Sequence, residues 1–321
     1  MILAKIGSGF NLEYKIRIPG DDGNFGGFGT EVEFHRSSDL NKWNLLVGAP
    51  TYNNGTVYKC DLGALECNPI NFDMCELPTP NQNDGQGLWY YDKTDQNLGL
   101  TISSSGVGGS VAVCAPQFQM KHAEGAEVTE NVELGKCFIL DSNLEPSSKG
   151  CFKSPCEDML FRTTEDELVG KYTHAGFQFC AAGYSVDWGN ETDELVLGLP
   201  GALNYAGNLV SMTPPVESAE SFFDPDQIQK PTKTWISDKR NNYNSVDTLC
   251  SNEKIYNNRT GLACSNYLGA SIRTGNFGES TDSMSFITGG LRTGKVQFYS
   301  KNYFQDATSF DTASFIKVKV D

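Results

Sequence analysis

The apolar positions of this chain gather into short blocks that return at wide intervals. Four of them are nearly continuous: Leu45-Leu46-Val47-Gly48-Ala49-Pro50, Val111-Ala112-Val113-Cys114-Ala115-Pro116, Leu195-Val196-Leu197-Gly198-Leu199-Pro200 and Ser285-Phe286-Ile287-Thr288-Gly289-Gly290. Runs this short, closed by Gly or Pro, predict strands buried on both faces. Each block follows an alternating segment led by glycine: Phe28-Gly29-Thr30-Glu31-Val32, Leu98-Gly99-Leu100-Thr101-Ile102, Ala182-Gly183-Tyr184-Ser185-Val186 and Leu268-Gly269-Ala270-Ser271-Ile272. Each precedes a further strand opened at Gly55, Gly135, Gly207 or Gly294. The leading glycines at 29, 99, 183 and 269 set a period of 70 to 86 residues. Three strands per unit make a small antiparallel sheet, and the variable connections are expected to hold one more strand each. Four-stranded sheets repeated in this way predict an all-β fold, a β-propeller in which every blade buries a face on the next.

Composition agrees with many short strands: 33 Gly and 11% aromatics, with only 20% charged residues, in 321 residues. A net charge of −15 repels phosphate backbones and anionic surfaces, so nucleic acid is not an expected partner. The longest apolar stretch, Leu195 to Leu203, is too short for a membrane span and contains Pro200 and two glycines. Ten cysteines without a Cys-x-x-Cys pair, together with Asn-x-Thr sequons at Asn54, Asn190 and Asn258, point to an oxidising, glycosylating compartment. Met1 to Gly7 lacks the apolar stretch of a signal peptide, so residues 1–9 read as an incomplete N-terminus ahead of a propeller segment over 10–321.

The repeated pattern resembles the FG-GAP repeats of the integrin α-subunit head. The likeness is carried by Phe10-Asn11-Leu12-Glu13, by Leu45 to Pro50 with Val57-Tyr58-Lys59-Cys60, by Cys114-Ala115-Pro116 with Gly135 to Leu140, and by Tyr267-Leu268-Gly269-Ala270-Ser271. It covers roughly residues 10 to 300 and divides the chain into blades near 10–75, 76–150, 151–240 and 241–321. That family's head has seven blades, so four are expected here, with calcium loops only in the later ones. The fourth unit's nearest counterpart to such a loop, Asn276 to Met284, keeps only Glu279 and Asp282 as carboxylates and reads as a polar turn without metal.

The resemblance also implies partners. In the family, loops of blades two to four bind ligand on the upper face, and the match of that surface here is Asn204-Tyr205. A β subunit docks on aromatics that follow the blade-opening glycines. Those places hold Thr30, Leu100, Tyr184 and Ala270, so Tyr184 alone is the expected docking aromatic. Members that read Arg-Gly-Asp place acids where this chain has Ala175 and Ala263-Cys264-Ser265-Asn266, so a different protein ligand of the matrix or cell surface is expected. Disulfides Cys60–Cys67, Cys114–Cys137 and Cys156–Cys180 are implied, with Cys250–Cys264 a further pairing and Cys75 and Cys151 unassigned. Membrane attachment would come only from a span C-terminal to this chain, which places the segment on the extracellular face of the plasma membrane.

Catalysis is not expected. His35, His122 and His174 stand in no nucleophile or metal-ligand spacing, and acids such as Asp21-Asp22 and Glu165-Asp166-Glu167 read as solvated surface. The alternative is a secreted FG-GAP propeller, either a carbohydrate-binding module or a propeller hydrolase or lyase. In either case a radial repeat of four blades leaves faces of blades one and four uncovered.

Overall fold

The computed structural model describes residues 3–5, 13–15, 26–37, 43–64, 66–72, 88–124, 126–151, 154–157, 178–189, 195–205, 207–212, 233–234, 267–275, 285–290, 295–300 and 316–317. A two-stranded ribbon of β1 (Leu3–Lys5) and β2 (Glu13–Lys15) comes first. The first four-stranded sheet is β3 (Val32–Arg36), β4 (Trp43–Ala49), β5 (Thr56–Asp61) and β6 (Glu66–Pro69). After β7 (Leu88–Asp92), β8 (Thr101–Ser104) and β9 (Val111–Ala115) begin the second. A hairpin of β10 (Gln119–Glu124) and β11 (Glu127–Glu133) then departs to pair with β7, and the sheet resumes with β12 (Lys136–Leu140) and β13 (Pro146–Cys151). The third sheet is β14 (Ser185–Trp188), β15 (Leu195–Leu199), β16 (Asn208–Met212) and β17 (Lys233–Thr234). The fourth is β18 (Leu268–Gly275), β19 (Ser285–Gly290), β20 (Lys295–Ser300) and β21 (Ile316–Lys317).

All four sheets are antiparallel and run in chain order, which is the blade architecture read from the repeat. The first strands neighbour one another in turn, β3 beside β8, β8 beside β14 and β14 beside β18, as strands around a propeller axis do. Alternation on the middle strand decides which side chain meets which blade. Val111, Val113 and Ala115 pack with Leu46 and Val57 of the first blade, while Ala112 and Cys114 pack with Leu195, Leu197 and Leu199 of the third.

Each blade opens with the same turn. Thr30, Leu100, Tyr184 and Ala270 donate their amides to the carbonyls of Gly27, Asn97, Ala181 and Tyr267 at 2.9 to 3.1 Å. The leading glycines Gly29, Gly99, Gly183 and Gly269 have φ of +88°, +88°, +83° and +87°, a left-handed conformation that only glycine adopts cheaply. The carbonyls of Gly99, Gly183 and Gly269 then seat against the preceding blade. A Cβ on Gly48 would lie 2.0 Å from the Gly99 oxygen, and one on Gly198 would lie 1.9 Å from the Gly269 oxygen.

Hydroxyls two residues beyond the second and third leading glycines add directional ties. Thr101 Oγ1 donates to the Gly183 carbonyl at 2.6 Å and Ser185 Oγ to that of Gly269 at 2.7 Å. The fourth blade departs by one residue from the alignment of the apolar blocks. Ser271 pairs with Gly289, as Ser185 pairs with Gly198, so Gly289 and not Thr288 is the counterpart of Gly198. The pairing is irregular between Leu268 and Ser271, where the blade-opening turn lies.

Asp187 joins three blades at the axis. Its carboxylate accepts from Ser103 Oγ of the second blade at 3.3 Å and from Thr274 N and Oγ1 of the fourth at 2.8 and 3.2 Å. Asp187→Ala removes these acceptors and leaves the Thr274 amide without this partner, at an expected cost of about 2 kcal/mol. Urea melts should show this loss, with Asp187→Asn near half of it. A cost no larger than that of Glu127→Ala, on the exposed part of β11, would contradict the role.

Candidate functional site

The end of the third blade that carries the expected contact residues is defined by strand register. Ser185 pairs with Gly198 and Leu199 with Asn208, so the residues before β14 and those between β15 and β16 emerge together. Tyr184 occupies the first position, and a single helical turn, α1 (Ala202–Tyr205), occupies the second. The turn starts at Gly201 because no side chain fits there: a Cβ would lie 1.5 Å from the Phe179 carbonyl oxygen. It ends with Tyr205 N donating to Gly201 O at 3.2 Å and Gly207 N to Ala202 O at 2.9 Å. Tyr205 itself has φ of +68°, unfavourable for an aromatic residue by about 1 kcal/mol, so packing must hold it there.

That packing is an aromatic row. The Tyr205 ring stacks on Phe179 at 5.8 Å and 14° and meets Tyr267 at 5.6 Å and 48°, while its carbonyl accepts from Tyr267 N at 3.0 Å. Phe179 is 42% exposed, and Tyr205 is half-buried. Burial, followed by the neighbouring Tyr267 and Glu133, pushes the Tyr205 phenol up from its ordinary value, so it stays neutral at physiological pH. Asn204 precedes Tyr205 in α1. Sequence reasoning singled out Tyr205 but missed Phe179 and Tyr267. Tyr267 opens the fourth blade's leading turn and Phe179 adjoins Cys180, and those are the only signals that pointed to them.

Tyr184 is 42% exposed, in the turn that opens the third blade. Its counterparts are Thr30, exposed, and Leu100 and Ala270, both half-buried. Below them the first strands carry charge: Glu33 on β3, Asp187 on β14 and Arg273 on β18 sit four residues beyond their leading glycines, with Ser103 at the same place on β8. Burial raises the Glu31 and Glu33 carboxyls, and the positive charge of Arg273 acts against it on both.

Disulfides join Cys60 to Cys67, Cys114 to Cys137 and Cys156 to Cys180. The first two link directly paired strand positions, and the third brings the chain before β14 back beside the second blade. Asn54 is exposed at φ +69° in the turn between β4 and β5, where its Oδ1 accepts from Asp95 N at 3.4 Å. Asn190, Asn258, Cys75, Cys250, Cys264, His174, Ala175, Asp21, Asp22 and residues 263–266 and 276–284 lie outside the described residues.

His35 is fully buried between two blades. Its Nε2 faces the Ser142 carbonyl, which can only accept, so Nε2 carries the proton and Nδ1 accepts from Ser104 Oγ, both at 2.9 Å. His122 lies 2.8 Å from Thr129 Oγ1 and against Trp89. Among the described residues no group of three or more His, Cys, Asp or Glu is placed to hold a metal.

No family model matches the chain. It is 24% identical to human integrin alpha-6 over 330 residues, covering 91% of this chain and 27% of that protein. It is 28% identical to Cricetulus griseus integrin alpha-3 over 62% of this chain and 18% of that protein, and 26% identical to Gallus gallus integrin alpha-8 over 92% and 25%. The chain is similar to the N-terminal head of integrin α subunits. It spans about a quarter of the length of the integrin relatives it matches. The matches to human alpha-6 and Gallus gallus alpha-8 cover about nine-tenths of the chain that forms the four glycine-led blades, and the aromatic row on the third blade lies on that same propeller.

Proposed function

We propose that this chain is the head of an integrin-like adhesion receptor. In this reading it pairs with a β subunit and binds a matrix or cell-surface protein at the extracellular face of the plasma membrane, without catalysis. The observation that carries it is the match to integrin α chains over nine-tenths of the sequence, on a propeller whose blades are built alike. The ligand-facing element is the row Phe179–Tyr205–Tyr267, with Asn204 beside it, and the β subunit meets Tyr184. A neutral aromatic surface of this kind suits a ligand read by shape and hydrogen bonds. Arg-Gly-Asp is not expected to be its motif, because Ala175 and Ala263 to Asn266 supply no carboxylate for a guanidinium. Asn54, Asn190 and Asn258 carry glycans in this reading, and no cofactor is needed within the segment.

Tyr205→Ala should reduce attachment of cells carrying the receptor about tenfold, as for a central aromatic contact. Because Tyr205 also packs on Phe179 and Tyr267, a melt must accompany it. Lost attachment at unchanged melting temperature supports the contact, and charge reversal at Asp21 serves as the control. Blocking of attachment by an Arg-Gly-Asp peptide would overturn the ligand assignment.

A further inference from the structure

The aromatic row belongs to the third blade, yet its fastening begins in the second. Phe179, on which Tyr205 stacks, lies in a stretch of chain that runs along Glu133 and Leu134. Glu133 N donates to Gln178 O at 2.7 Å, Ala181 N to Glu133 O at 3.3 Å and Ala182 N to Leu134 O at 2.9 Å. The helical turn that carries Asn204 and Tyr205 rests on the same stretch, with Gly201 N donating to Cys180 O at 3.3 Å. Wherever Phe179 and Cys180 are placed, the row follows.

Cys180 is bonded to Cys156, which lies in a short turn over residues 154–157. The neutral hydrogen bonds of that turn are long: Ser154 Oγ to Leu134 O at 3.4 Å, Cys156 N to Ser154 Oγ at 3.3 Å and Glu157 N to Ser154 O at 3.1 Å. The firm hold is Glu157. It is 3% exposed, both of its carboxylate oxygens accept from the Tyr91 hydroxyl at 2.9 and 3.0 Å, and its negative charge offsets part of the cost of burying the Lys136 ammonium. Moving a buried carboxylate away from a buried ammonium leaves both charges uncompensated, so this pair resists displacement more than neutral bonds do.

We propose that Glu157 is the positioning residue of the aromatic row. Held by Tyr91 on β7 and Lys136 on β12, it fixes Cys156, and the Cys156–Cys180 disulfide carries that placement to Phe179, the platform under Tyr205. Each step is a hydrogen bond, an attraction between buried charges or a covalent bond, so the path is physically continuous. Tyr205 stands at φ of +68° only because its packing holds it, so a shift of Phe179 is felt there first. That the placement serves attachment rests on the adhesion reading; the placement itself does not.

Fluorine NMR of the full chain labelled with fluorotyrosine tests the proposal, with the Tyr205 signal identified by its loss in Tyr205→Phe. Tyr91→Phe, which removes only the hydroxyl on Glu157, and Glu157→Ala should each shift and broaden the Tyr205 signal. Glu157→Gln keeps an acceptor for Tyr91 and should restore most of the wild-type signal. With Cys156 and Cys180 both replaced by serine, Tyr91→Phe should no longer move the Tyr205 signal, a dependence that general weakening of the second blade would not show. Attachment of cells carrying the receptor should fall about fivefold in Glu157→Ala and stay near the wild type's in Glu157→Gln. A Tyr205 signal unmoved by Tyr91→Phe and Glu157→Ala, or moved equally with and without the disulfide, would overturn the proposal. A moved signal with attachment unchanged in both Glu157→Ala and Tyr205→Ala would support the positioning and overturn the adhesion reading instead.

Discussion

Gly48→Ala is expected to cost about 3 kcal/mol or more, while Gly289→Ala at the equivalent place on the fourth blade should cost well under about 1 kcal/mol. The chemistry of the change is the same at both positions and only the neighbour differs. At Gly48 the new carbon would stand 2.0 Å from the Gly99 carbonyl oxygen, a backbone atom fixed by its own turn, so the first two blades would have to separate. Separation would pull Leu46 and Val57 away from Val111, Val113 and Phe138, the apolar contact that holds the junction. Gly198→Ala meets the Gly269 carbonyl at 1.9 Å and should behave like Gly48→Ala. Thermal melts of the three variants decide it. Equal losses at Gly48 and Gly289 would mean that strand propensity, and not blade contact, explains the glycine of the repeat.

The repeat was legible because its signals are local. A glycine at positive φ, an apolar run and a closing Pro or Gly lie within one stretch of chain, so the four sheets could be laid out from pattern alone. What was missed depends on strand pairing and on packing between elements. The displaced register of β19 shows only in its pairing, Ser271 with Gly289, which leaves no mark in the apolar block itself. The hairpin β10–β11 was not separated from its connection, because five of its seven β11 residues are exposed and show no apolar run. Tyr205 could be named as a contact residue, but its neighbours Phe179 and Tyr267 approach it from other turns, separated by 26 and 62 positions. Lys136 read as an ordinary strand-opening residue after Gly135, and its surroundings come from three separate elements.

Those surroundings make Lys136 a strong lever on stability. Its Nζ lies 5.0 Å from the Phe118 and Phe138 ring centroids and 5.9 Å from that of Tyr91, and the residue is only 2% exposed. Burial lowers the Lys136 ammonium to about 7; the Glu157 carboxylate, held by the Tyr91 hydroxyl at 2.9 and 3.0 Å, pulls it back up, and Lys93 lowers it further. In the unfolded chain the same amine titrates near its ordinary value of about 10.4. Below pH about 7 both states hold the proton and the full cost of burying the charge is present. Above it the folded state releases a proton that the unfolded state keeps, so stability rises with pH, by up to about 1.4 kcal/mol per unit, until the unfolded amine also titrates. Lys136→Met fills similar volume among the three rings and has no such titration. The variant should therefore be more stable than the wild type by a few kcal/mol, about 2 or more, at pH 6, with the difference shrinking steadily between pH 7 and 9. Comparing the two proteins at each pH cancels the repulsion that a net charge of −15 adds as pH rises. Parallel pH profiles, with a constant gap from pH 6 to 9, would show that Lys136 keeps its proton inside the second blade.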